Sequence, residues 1–73
     1  MKGSYFAGVA LQGLAEGKFG AAFGAGMLEF VDKDGDVRYS FLYRDVGTPL
    51  AHEKPAGFAH RVLVHKEAEA QAA

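Results

Sequence analysis

The sequence predicts a small all-β domain of about four antiparallel strands in a meander, curled into a sheet or partial barrel, with a short C-terminal helical or disordered tail. Three observations lead there. "VRYSFLYR" (Val37 to Arg44) alternates Val37, Tyr39, Phe41 and Tyr43 with Arg38, Ser40, Leu42 and Arg44, the period of a pleated strand. Seven glycines fall between Gly3 and Gly26, and each would cost a helix interior about 1 kcal/mol. "DKDGD" (Asp32 to Asp36) has the composition of a hairpin turn. Residues 1–68 then form a single β-rich domain and residues 69–73 a tail.

The elements follow in order. In the first strand Tyr5, Ala7, Val9 and Leu11 alternate with Phe6, Gly8, Ala10 and Gln12, and "AEGK" (Ala15 to Lys18) supplies a turn. In the second, Phe19, Ala21, Phe23, Ala25 and Met27 line one face. Gly20, Ala22, Gly24 and Gly26 thin the other, so that a backbone or a large ring can lie on it. Lys33-Asp34 in a type I turn with Gly35 in the left-handed position sets Asp32 opposite Asp36, and thereby places Phe23, Ala25, Met27, Glu29 and Val31 on the face of Tyr39, Phe41 and Tyr43. A two-residue turn at Asp34-Gly35 would instead bring Leu28 and Phe30 beside those aromatics. Asp45 to Gly57, with both prolines, is a long loop, and Phe58 to Glu67 is a last strand leading into "AEAQAA".

Composition narrows the function. With 49% apolar and 23% charged residues, the 73-residue chain is globular. It is short enough that one core covers its entropy cost only narrowly, and without cysteine it has neither disulfides nor thiolate zinc sites to help. Self-association is the remaining aid, so a homo-oligomer is expected. The net charge of −1 sets up no long-range field for nucleic acid or an anionic membrane, and no run approaches the roughly 20 apolar residues of a membrane span. Gly8 and Gln12 interrupt the apolar N-terminal run, which lacks the form of a secretory signal. A cytoplasmic protein is expected.

The motifs that would carry chemistry are incomplete. Asp32, Asp34 and Asp36 have the spacing of a calcium loop, but Gly35 precedes the third aspartate, and Tyr43 stands where a bidentate glutamate is needed. "GKFGAAFGAG" contains neither GxxxxGK[ST] nor GxGxxG, so no phosphate loop is expected. His52, His60 and His65 are expected to be surface or interface imidazoles; on a strand, His60 and His65 would face opposite sides and could not share an ion. His52, Glu53 and Lys54 are the one place to look for acid–base work, but "HEK" does not complete HExxH. No enzyme, cofactor or metal is expected.

The expected role is a non-catalytic binding or interaction protein, such as a regulator, inhibitor or accessory factor, with a protein partner. Its ligand-binding or interface residues are expected among Phe19, Phe23, Met27, Leu28, Phe30, Tyr39, Phe41, Leu42 and Tyr43, and its polar surface candidates are Arg38, Arg44, His52, His60 and Arg61. A small barrel binding a hydrophobic ligand among the aromatics is the alternative. Single-stranded nucleic-acid binding, from the interleaved arginines and aromatics, is the weaker third.

Overall fold

The computed structural model describes the backbone from Lys2 to Ala72 and the side chains of residues 8–71. It corrects the all-β expectation. The chain runs α1 (Lys2–Ala15), β1 (Phe19–Gly24), β2 (Met27–Asp32), β3 (Val37–Leu42), α2 (Tyr43–Val46) and α3 (Pro55–Ala72). The strands form one antiparallel sheet in the order β1-β2-β3, and α1 and α3 pack together on one of its faces. This is a two-layer α/β arrangement with three strands, not four, and neither the first nor the last expected strand exists.

Helix α1 forms despite its glycines because packing outweighs propensity. Ala10 is fully buried, and Leu11 and Leu14 pack beside it; that spacing is helical, not alternating. Gly13 is a contact surface: a Cβ there would lie 2.4 Å from Cδ2 of Phe19, so only glycine lets that ring lie on the helix backbone. The helix closes in a Schellman motif, with Lys18 N–H donating to Gly13 C=O (2.8 Å), Gly17 N–H to Leu14 C=O (3.2 Å), and Gly17 at φ 75°. The expected turn at Ala15 to Lys18 is thus a helix C-cap. The side chains of Tyr5, Phe6 and Ala7 lie outside the described residues.

The expected second strand is two strands. Gly24↔Met27 closes a two-residue turn over Ala25-Gly26, with Gly26 at φ 76°, and β1 pairs with β2 as Ala21↔Phe30 and Phe23↔Leu28. At the next hairpin the turn forms as expected: Asp32 N–H donates to Asp36 C=O (2.9 Å), Gly35 N–H to Asp32 C=O (3.0 Å), and Gly35 has φ 86°. The faces nonetheless differ from the expectation. Val31 pairs with Val37 but Phe30 pairs with Tyr39, so Arg38 is an extra residue, a β-bulge that slips the register by one. Leu28 and Phe30, not Met27, Glu29 and Val31, therefore share the face of Tyr39 and Phe41.

That face is the core. Leu28 and Phe30 are fully buried against Phe58, Ala59, Val62 and Leu63 of α3, with Ala21, Tyr39, Phe41, Tyr43 and Val46 around them. Phe58, Ala59, Val62 and Leu63 sit at i, i+1, i+4 and i+5, one stripe of a helix, and Pro55 at its first position suits a residue without an N–H. Helix α3 fills the space that a barrel lumen would need. Aromatic edges knit this layer: Phe30 meets Tyr39 and Phe41, and Phe58 meets Phe23 and Tyr43.

Candidate functional site

Strand alternation leaves the second face of the sheet without a covering element among the described residues. Ala22, Met27, Glu29, Val31, Val37, Ser40 and Leu42 project from it. Val37 is 52% and Leu42 38% exposed, while Met27 and Val31 are partly shielded by their neighbours. The single carboxylate here is displaced to one side. A Cβ at Gly24 would lie 2.6 Å from Glu29 Oε2, so the Glu29 side chain lies over β1. The half above β2 and β3 is thereby left without a carboxylate, its surface made by Met27, Val31, Val37 and Leu42 around Ser40.

The residues expected at the interface divide between the faces. Phe19, Phe23, Leu28, Phe30, Tyr39 and Phe41 face the helices, and Tyr43 packs at the end of the same layer. Met27 and Leu42 lie on the open face. Val31 and Val37 also belong to the open face, although they were not among the expected site residues. Their signal was the turn itself, which sets Val31 opposite Val37 before the bulge intervenes.

The polar candidates are scattered and mostly engaged. Arg38 Nε donates to Asp32 Oδ2 (2.7 Å). Arg61 grips Glu53 through Nε (3.0 Å) and Nη2 (2.8 Å), and its guanidinium lies 5.1 Å from the centre of the Phe58 ring. Glu53 also accepts from Leu50 N–H (3.0 Å), tying the loop before α3 to the helix. Arg44 is exposed, with Nε 3.6 Å from Asp45 Oδ1. His52 is exposed in the loop, His60 faces the last turn of α1, and His65 Nε2 lies 2.8 Å from Glu69 Oε1. Among the described residues, no three His, Asp or Glu side chains gather as a metal site would require, and no helix is long and apolar enough to cross a membrane.

DKDGD spends its acidity on itself. Asp32 Oδ1 accepts from the amides of Asp34 (2.9 Å) and Asp36 (3.0 Å), while Oδ2 takes Arg38. These bonds, the Asp36 amide first, hold the Asp32 carboxyl below its ordinary pKa; Arg61, followed by the Leu50 amide, does the same for Glu53. A carboxyl with a lowered folded-state pKa contributes stability above the unfolded value, about 4, and loses it as pH falls through the folded value. Stability is therefore expected to fall between about pH 5 and pH 2. Urea titrations across that range should show a shallower fall for Asp32→Asn and for Glu53→Gln; slopes matching the parent would remove both carboxyls from the account.

Two of the surface clefts lie against α3. One of about 310 Å³ between α2 and α3 is lined by Asp45, Val46, Arg61, Val62, His65, Lys66 and Glu69, with His65 Nε2 2.8 Å from Glu69 Oε1 and the Arg61 guanidinium engaged by Glu53. Another, of about 510 Å³, lies between Leu11, Leu14 and Ala15 of α1 and Ala56 and His60 of α3. Neither contains a serine, threonine or cysteine nucleophile. No family model, curated protein or solved structure matches the chain.

Proposed function

We propose that this is a non-catalytic interaction protein that assembles with copies of itself and uses the open sheet face as its contact surface. The supporting observation is the one-sided architecture: both long helices cover one face, while Met27, Val31, Val37 and Leu42 form an apolar patch on the other, with Glu29 drawn aside. An apolar sheet face is ordinarily covered by a second layer, and in so short a chain a partner surface supplies what one core cannot. The arginines that suggested a nucleic-acid surface each lie beside a carboxylate, which lends that role no support.

Sedimentation velocity across a concentration series tests this directly. The parent chain is expected to associate, and Leu42→Asp combined with Met27→Asp to weaken association by about tenfold or more, equivalent to about 1.4 kcal/mol. A parent chain that stays monomeric throughout the series would refute the assembly.

A further inference from the structure

The open edge of β1 is the second unsatisfied surface of the sheet. β1 and β3 are both edge strands. β3 is blunted by its bulge at Arg38, whose side chain is held by Asp32, and it ends directly in α2. β1 has no such guard: Phe19–Gly24 reads FGAAFG, with no charge, no proline and no bulge.

The ladder shows which backbone groups of β1 point outward. Asp32 N–H donates to Asp36 C=O, and Tyr43 N–H to Gly26 C=O, so the even-numbered residues from Gly26 to Asp32 turn their backbone groups toward β3. Met27, Glu29 and Val31 then bond to Gly24, Ala22 and Gly20. The amides and carbonyls of Phe19, Ala21 and Phe23 are left facing away from the sheet, and among the described residues no hydrogen bond outside the strand ladder reaches them.

We propose that this edge pairs with the β1 edge of a second copy, antiparallel about Ala21, giving a continuous six-stranded sheet across a two-fold axis. The inference rests on the homo-oligomer reading above and names its seam. The occupant is argued from the strand itself, because FGAAF is nearly symmetric about Ala21. A two-fold there sets Ala21 against Ala21 and Phe19 against the partner's Phe23, closing about six backbone hydrogen bonds. It also gives Phe23, 41% exposed on the helix-side face, an aromatic cross-strand neighbour. On the other face Gly20 would meet the partner's Ala22, a pair of small residues, with the Glu29 side chain of each copy lying over its own β1 beside them, and the two open faces would become one of double width.

A cysteine-free chain makes the register testable without background. Gly20→Cys and Ala22→Cys variants, mixed and mildly oxidised, are expected to form a disulfide-linked heterodimer severalfold faster than either variant alone, because the seam sets residue 20 across from residue 22. Ala21→Pro, which removes only an outward N–H, is expected to abolish the cross-link while circular dichroism stays at the parent's. Ala22→Pro, which removes a bond to β2, is expected to unfold the chain. A parent that associates in sedimentation while the mixture cross-links no faster than the single variants overturns the edge seam and leaves the face reading standing. A monomeric parent overturns both, and a cross-link that survives Ala21→Pro in a folded chain overturns the seam as well.

Discussion

Phe58→Ala is expected to cost about 3–5 kcal/mol, the range for emptying a fully buried phenylalanine site. The whole domain should have roughly 4–11 kcal/mol of stability at about 0.05–0.15 kcal/mol per residue, so this one change takes much or all of it. The reason is position. Phe58 is fully buried, and its ring lies 6.0 Å from that of Phe23, 6.2 Å from that of Tyr43 and 5.1 Å from the Arg61 guanidinium. It thus joins β1, the start of α2 and the Arg61–Glu53 tether of the loop in one contact. Chemical denaturation checks it: a variant within about 1 kcal/mol of the parent would show that the site collapses around the smaller side chain. Phe58→Leu, which keeps most of the volume, should lose much less.

The second large effect is expected where nothing is removed. Gly13→Leu improves helix propensity by nearly 1 kcal/mol, which on an open helix would stabilise the chain. Here the added Cβ meets the Phe19 ring, itself packed edge-on against Tyr39 at 5.6 Å, so the ring cannot simply swing aside. Overpacking of this kind costs about 1–3 kcal/mol, occasionally more, and a side chain as large as leucine belongs at the upper end, leaving a net loss of about 2 kcal/mol. The double variant with Phe19→Ala separates the causes. If the clash is responsible, Gly13→Leu should cost less in the Phe19→Ala background by about 1–2 kcal/mol. Additive losses would place the damage elsewhere.

The sequence disclosed its Asp32–Asp36 turn and its clearest strand better than its helices. Val37 to Leu42 is a strand, and the Asp32–Asp36 tip has the expected turn, because these depend on local chemistry: alternation in one case, Gly35 at positive φ in the other. Helix α1 was hidden because its glycines argue locally against a helix, and the reward for one of them, the Phe19 ring over Gly13, is a tertiary contact. Helix α3 was legible in principle. Phe58, Ala59, Val62 and Leu63 mark a helical stripe behind Pro55, but Phe58, His60, Val62 and Val64 also satisfy an alternating template, and a short apolar run does not decide between them. Of the candidate surface, Met27 and Leu42 were anticipated. The division into covered and open faces was not, because it turns on the single unpaired residue Arg38.

That extra residue also isolates the hairpin tip from the rest of the molecule. Past Arg38 the strands stand in the alignment that a two-residue Asp34-Gly35 turn would have produced directly. The three-residue turn plus the bulge and the shorter turn without it are two spellings of the same sheet. An exchange between them is absorbed inside residues 31–38, where Val31 would trade Val37 for Arg38 as its partner, and the pairings Phe30↔Tyr39 and Leu28↔Phe41 keep their places whichever is used. The tip can be rewritten while the core stays in register.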